Sequence, residues 1–596
     1  MLPSLLILIV TALYCAALGL VPGRAFLARW VAVVGAGAAL AVLVARETLD
    51  KVGALETWPG WLAWLGEPVY RSDALGAGLG AWCLLLGVLC LFKLGGGDDA
   101  PWQLANAVAV LAVLYSLAHT DHLLAFAGQL FLLAALLLLG QTWHGGLPAD
   151  YSRGIVGLGL GALLLLGAVL LIGRATGGAY SLAGMSLSAL TLWPLLLLGG
   201  FVVLWLGMPP FTGWSARWSG DGAGAALTQS LAVGVPVVVL VLRLQGLVSG
   251  QAFAGSVPGA WASLMGVLAW FGAAGMLVAA CGLLVWAGSA RWTAMLTAYS
   301  MGMLLWALSL DNPAGRLAAL VILLGYGAGR TALVLVGNGA STWEREARVL
   351  AVASLAFAPL TASFLGAWLL ASTLSAETNS SAALVLVGAA IVAACGVVLH
   401  FAATDRPAPE ATSMSLVSWL GPAAGLAILA GGTLPGLWLP YVARVAETGG
   451  GVPIVSLPWQ GLVAGDNSAP VLLLALGALI VGFLGWLLVV VSRSRADAPG
   501  VLLPSGLDRV ERAREALPDT PVQSSWEGAA RLLIANPPPA VWWLSLAWFE
   551  GGVWGFGALL GRVGVRVGGL LGRLEGRFYL PLALILVLVA LLLTSR

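Results

Sequence analysis

The chain has 596 residues, 60% of them hydrophobic and only 9% charged, against a charged fraction of about 25% in ordinary soluble domains. This composition excludes a soluble globular protein and a disordered one. A net charge of +2, from 28 basic and 26 acidic residues, leaves no basic face for nucleic acid. Only Lys51 and Lys93 are lysine, neither in the middle of an apolar run, and the other 26 cations are arginine. A mechanism that needs a titrating lysine buried in the membrane has no candidate.

A membrane-crossing helix needs about 20 mostly apolar residues. About sixteen such runs follow in order, near 3–21, 28–46, 76–95, 103–119, 122–141, 154–173, 185–208, 225–247, 261–288, 292–310, 314–338, 348–373, 381–404, 413–440, 469–492 and 578–594. The first run lacks a basic leader and is followed directly by a second, so it reads as a span and not as a cleaved signal. Cations in odd-numbered loops (Arg24, Arg29, Lys93, Arg153, Arg217, Arg291, Arg345, Arg348, Arg406, Arg493, Arg495) outnumber those in even ones (Arg46, Lys51, Arg71, Arg174, Arg243, Arg316, Arg444). That bias places the N-terminus outside. The five cysteines (Cys15, Cys83, Cys90, Cys281, Cys395) lie within spans with no metal-binding spacing and read as small packing residues.

Two stretches interrupt the pattern. Residues 47–75 form a polar, Trp-containing loop, expected to cap the outside. Residues 493–577 form a long excursion whose first part carries charge and prolines. In its second part Arg562, Arg566, Arg573 and Arg577 are spaced by 4, 7 and 4. At about 100° per residue they fall within roughly 60° of one another, a stripe suited to a helix lying along the membrane surface or along a row of spans. A loose basic linker is the plainer alternative. Eighty glycines and 27 tryptophans have a packing explanation first: small residues let helices approach, and Trp favours the interface.

Charges inside spans are costly and therefore informative. In the run 317–343 the only charge is Arg330, which can hold a fixed positive charge or pair an anion but cannot readily relay a proton. His119, Asp121 and His122 sit between two spans and read as a solvated loop; Gln129 lies one to two turns into the next span, and His400 reads as interfacial. Two proline breaks stand out, Met208-Pro209-Pro210 and Pro359. A proline within a span frees a carbonyl and breaks the helix, and paired discontinuous helices point to a transporter built from repeats. The surrounding PPFTGWSARW and APLTASFLGAW are alike and lie about 150 residues apart.

Four segments together resemble the proton-antiporter-like membrane subunits of respiratory complex I, membrane-bound hydrogenases and Mrp antiporters. LLAFAGQLFLLAALLLLG is similar to that family's fifth-helix segment, GMPPFTGWSARW to the element after its broken seventh helix, SARWTAMLTAYSMGM to the start of its tenth and YGAGRTALVLVG to its eleventh. The resemblance covers roughly residues 100–400 by motif, and the tail resembles the distal, long-C-terminal-helix type. It implies an all-α polytopic protein of about 16 transmembrane helices, with two five-helix repeats containing broken helices, a surface-lying helix and a final anchor. The implied segments are 1–100 (N-terminal helices and outside loop), 101–410 (antiporter-like core), 411–492 (further spans), 493–577 (polar segment and lateral helix) and 578–596 (anchor).

The family moves protons through buried lysines and glutamates. Carried over by motif, its fifth-helix glutamate falls on Gln129 and its seventh-helix lysine on Trp205. The eighth-helix position falls near Gln229 or Val235, the eleventh-helix lysine on Arg330 with Tyr326 in place of its partner histidine, and the twelfth-helix position on Ala367 or Trp368. Only Arg330 keeps a charge. The resemblance therefore implies a non-catalytic subunit of a proton-translocating NADH:quinone- or hydrogenase-type assembly in the cell (inner) membrane. It would be a scaffold with a largely lost proton path, its partners other membrane subunits, lipid and protons or other ions. The sequence has no catalytic constellation, redox centre, nucleotide motif or metal spacing, so no cofactor is expected. Two other readings stay open: an ion or inorganic-carbon transporter on the same fold, and a polytopic glycosyltransferase using acids of the loop 47–73 (Glu47, Asp50, Glu56, Glu67, Asp73).

Overall fold

The structure, a computed structural model, describes residues 2–21, 23–49, 55–57, 69–71, 73–94, 100–142, 151–178, 180–182, 185–209, 231–252, 259–285, 292–336, 342–358, 361–376, 380–404, 416–435, 438–447, 455–457, 461–464 and 467–469. Helices dominate: α1 (Leu2–Gly19), α2 (Ala25–Leu49), α3 (Ala74–Lys93), α4 (Ala100–His119), α5 (Leu123–Thr142), α6 (Tyr151–Ala175), α7 (Leu192–Trp205) and α8 (Val235–Ala252). They continue as α9 (Gly259–Val285), α10 (Trp292–Ser309), α11 (Pro313–Val336), α12 (Thr342–Leu355), α13 (Ala362–Ala376), α14 (Ser380–Thr404), α15 (Leu416–Thr433) and α16 (Leu439–Glu447). Each of the first fourteen apolar runs overlaps at least one of them. The spans expected at 469–492 and 578–594, and the segment 493–577 with Arg562, Arg566, Arg573 and Arg577, lie outside the described residues.

Six described helices are long and apolar enough to cross a membrane, within α2, α3, α4, α6, α9 and α11; shorter apolar helices lie within α1, α5, α7, α8, α13, α14 and α15. Helix is forced here because a backbone in hydrocarbon must satisfy its own N–H and C=O groups. Two differences from the hydropathy runs have local causes. The run 348–373 is two helices, α12 and α13, split at the expected proline break, and the run 413–440 divides into α15 and the start of short α16. The loop 47–75 is not wholly irregular: strands β1 (Leu55–Thr57) and β2 (Val69–Arg71) pair antiparallel, Glu56 opposite Tyr70. A small antiparallel meander of β3 (Val455–Leu457), β4 (Gly461–Ala464) and β5 (Asn467–Ala469) follows α16.

Helix packing explains part of the glycine content. A Cβ on Gly302 of α10 would lie 2.7 Å from the Met276 nitrogen of α9, and one on Gly272 of α9 would lie 2.6 Å from the Trp306 nitrogen of α10. The two backbones touch, which only a missing side chain permits. Central to the bundle is α11, which packs against α3, α10, α12, α13, α15 and α16.

The two broken helices end in the same way. At the end of α7, Gly207 adopts φ 62°, its N–H bonds to the Leu204 carbonyl, and the Met208 N–H reaches back to Val203. Past α12, Phe357 adopts φ 56°, its N–H bonds to Ser354, and the Ala358 N–H reaches back to Ala353. Both are Schellman closures, a left-handed residue with paired 5→2 and 6→1 bonds. The left-handed residue stands two positions before Pro209 in one and Pro359 in the other. Pro210 and Pro359 themselves lie outside the described residues.

Candidate functional site: polar groups inside the bundle

Three groups of polar side chains sit within the apolar bundle. The first is at the end where α4 passes into α5 and the β1–β2 hairpin lies, the hairpin end. Asp73 caps α3, its Oδ1 accepting from the Gly76 N–H at 2.7 Å. Arg243 on α8 directs Nη1 to the Thr120 carbonyl (2.7 Å) and to Asp121 Oδ1 (3.4 Å). Its Nη2 reaches the Ala118 carbonyl (2.9 Å) and Asp73 Oδ1 (3.5 Å). Arg71 on β2, its side chain 42% exposed, stands 3.9 Å from the same Asp121 oxygen. Two guanidiniums thus face two carboxylates, and the buried one also caps carbonyls that the end of α4 leaves unbonded.

His119, fully buried, donates from Nδ1 to the Tyr115 carbonyl at 2.8 Å. Gly76 and Gly80, one turn apart on α3, make room for its ring: a Cβ at either would come within 2.9 Å of it. His122 accepts from the Ala125 N–H at 3.2 Å and so caps α5. The sequence reading of His119, Asp121 and His122 as a solvated loop is therefore corrected, since all three are buried. The cause is tertiary: Tyr70 of the hairpin bridges Thr120, and Ser181 bridges His122, covering a link only three residues long.

Arg243 and Arg316 need the same correction. Their place near run ends puts both in even loops by sequence, whereas both are buried inside helices. Arg316 Nη2 lies 3.5 Å from Asp311 Oδ1 and donates to Ser249. Asp311 also accepts from the Trp261 indole at 2.8 Å. Burial pushes the Asp311 carboxyl above its ordinary range, against the opposing pull of the Trp261 bond and Arg316. An arginine inside an apolar run was the available signal for Arg243, the same one that singled out Arg330.

The second set comprises the separate contacts of Gln129 and of Trp205. Gln129 Nε2 donates to Ser116 Oγ (2.9 Å) and to the Tyr70 hydroxyl (3.2 Å), and its Oε1 accepts from Thr120 Oγ1 (2.9 Å). Trp205, wholly buried at the end of α7, donates its indole N–H to the Ala232 carbonyl at 2.9 Å, in the turn that precedes α8. The bond gives a partner to a carbonyl that Pro236, four residues on, has no N–H to serve. Val235 begins α8 and is buried, and Gln229 lies outside the described residues.

The third group lies along α11. The Tyr326 hydroxyl donates to Thr297 Oγ1 of α10 at 3.5 Å. One turn on, Arg330 is only 5% exposed, and its Nη2 has no hydrogen-bond partner. Around the second break, Ser354 and Ser363 share a 2.9 Å bond, and Ser300 of α10 donates to the Leu355 carbonyl at 3.1 Å. Ala367 is half-buried on α13, and His400 is buried with its ring stacked 3.8 Å from that of Trp292. Among the described residues no group of three or more His, Cys, Asp or Glu side chains could hold a metal.

No protein-family model matches the sequence, and no curated protein is significantly similar to it. Solved structures are similar in fold. A chain of the membrane-bound sulfane sulfur reductase, an archaeal respiratory membrane complex, matches with a TM-score of 0.68 and 16% identity, all of each chain being covered. A chain of respiratory complex I from Thermus thermophilus matches with a TM-score of 0.63 and 18% identity over 75% of this chain and 98% of that one. A chain of the Mrp complex from Dietzia sp. DQ12-45-1b gives 0.63 and 18% over 74% and 96%. The chain shares its fold with these chains of membrane complexes.

Proposed function

We propose that the protein is an antiporter-like membrane subunit of a complex I-like respiratory assembly, associated with proton translocation but serving chiefly as a scaffold. The observation that carries this reading is the fold similarity to chains of three multi-subunit respiratory or antiporter complexes. A lost proton path is supported by the side chains at the implied positions. Gln129 is engaged by neutral partners, and Trp205 uses its only donor on a backbone carbonyl. Neither side chain can exchange a proton near neutral pH, and Ala367 has no polar group.

The chain would sit in the cell (inner) membrane with its N-terminus outside. Burial of Arg243 and Arg316 removes two cations from the even loops and so favours this orientation. The two breaks with matching closures favour the two-repeat division of the core at 101–410. The stripe Arg562, Arg566, Arg573 and Arg577 would clamp neighbouring subunits. Purification in mild detergent, followed by identification of co-purifying chains, tests the assignment. Quinone-module or hydrogenase-type subunits are expected with the intact chain and lost when the four arginines become Gln; a chain that purifies alone refutes it.

A further inference from the structure

We propose that the bundle end opposite the hairpin binds an anionic glycerophospholipid, its phosphate at Arg24 and Arg29 and an acyl chain along the outer face of α2. Helix α3 runs from its cap Asp73, at the hairpin end, to Lys93. Its 20 residues span about 30 Å, the thickness of a bilayer's hydrocarbon core. Residues beside Lys93 therefore stand at headgroup depth on the opposite surface. Arg29 of α2 directs Nη2 to the carbonyl of Phe92, the residue before Lys93. The Trp30 ring packs edge-on against Phe92, centroids 6.1 Å apart, and against Phe26 at 6.3 Å. One contiguous surface thus joins the start of α2 to the end of α3.

Charge and shape both fit this surface to such a lipid. Arg24 and Lys93 are exposed and Arg29 is half-buried, and among the described residues no carboxylate pairs with any of the three. Arg71 at the hairpin end, by contrast, faces Asp121. Cations at the membrane surface attract anionic headgroups. Arg29 and Lys93 each bond one helix-end carbonyl, of Phe92 and of Leu335, and have further N–H donors for a phosphate. Phe26, Trp30 and Val34 recur every four residues as an exposed stripe, continued by the small, exposed Ala38. Arg29, three residues from Phe26, borders the same face. Aromatic rings thus stand at headgroup level, as interfacial anchors do, with a shallow apolar strip for an acyl chain beneath them. This inference gives lipid a charge class and a place, and it does not depend on the scaffold reading, because the surface lies outside the implied proton path.

The test uses the full chain, purified with whatever chains accompany it and exchanged into neutral detergent. Phosphatidylglycerol and phosphatidylcholine with the same acyl chains are added in equal amounts, and the lipid retained per complex is measured by native mass spectrometry. Preferential, saturable retention of phosphatidylglycerol is expected, weakening as ammonium acetate is raised. Arg24→Gln combined with Arg29→Gln should lower affinity for phosphatidylglycerol about 25-fold, roughly five-fold per cation, and leave phosphatidylcholine unchanged. If the double variant does not fold, Arg24→Glu takes its place, since the Arg24 side chain makes no bond among the described residues. Equal retention of the two lipids by the wild-type chain, or unchanged selectivity in the variant that folds, overturns the proposal. A companion chain captured by cross-linking from Val34→Cys in native membranes also overturns it, because protein would then cover the strip.

Discussion

At the residue scale, the buried arginines divide by what surrounds them. Arg243 is engaged through both of its Nη atoms, so removing it strands the Asp121 carboxylate and the carbonyls of Ala118 and Thr120 together. Arg243→Ala is expected to lower stability by about 3–5 kcal/mol, the usual cost of breaking a buried pair by deleting one partner. Denaturation of the purified chain in detergent checks this. Asp311 gives a pH dependence of determinate sign. Its carboxyl is raised by burial, so the folded state holds this proton more tightly than the unfolded one. Its contribution to stability is complete below the ordinary carboxylate value, about 4, and is lost as pH rises through the raised value. Melting temperatures measured from pH 4 upward should therefore fall less steeply in Asp311→Asn, which keeps an acceptor for the Trp261 indole. Gln129, Trp205 and Arg330 were legible as positions from short motifs. The burial of Arg243 and His119 was not, because it depends on Asp73, Gly76 and Gly80 of another helix, and no local pattern encodes that distant pairing.

At the element scale, the two breaks share one backbone geometry but fill its left-handed position differently. Gly207 occupies it without cost, whereas Phe357 bears the crowding of a Cβ against the following carbonyl, about 1–2 kcal/mol. The aromatic ring is buried and packs edge-on against Tyr299, with centroids 5.8 Å apart. Losing such a ring costs about 3–5 kcal/mol, so packing outweighs backbone strain. Phe357→Gly is thus expected to destabilise by a few kcal/mol despite relieving the strain, and Gly207→Ala to destabilise by about 1–2 kcal/mol. Thermal denaturation of both variants checks the order. Hydropathy found the helices readily, since hydrocarbon leaves the backbone no alternative. It could not divide the run 348–373, because the residues on both sides of the break are equally apolar; the proline marked the place.

At the scale of the whole molecule, the arrangement is a membrane bundle threaded by polar groups, most of them internally satisfied. If the bundle is a scaffold, restoring a single implied residue should not restore conduction. Gln129→Glu, reconstituted in vesicles with its co-purifying chains, is expected to leave proton flux unchanged, since the other implied positions stay without a titratable group and Trp205 keeps its donor committed to Ala232. A flux increase measured with a pH-sensitive dye would argue for a path that is dormant instead of lost. Composition and the order of apolar runs by themselves determined the solvent of this protein, its helical class and the scarcity of titratable groups in its interior. Those properties follow from local transfer energies and backbone hydrogen bonding, which a single segment expresses alone. Only the tertiary structure decided which charges are paired. It gathered Arg243 with Asp73 and Asp121 and, among the described residues, gave Arg330 no carboxylate, because a buried charge is stabilised by groups that are close in space and far apart in the chain.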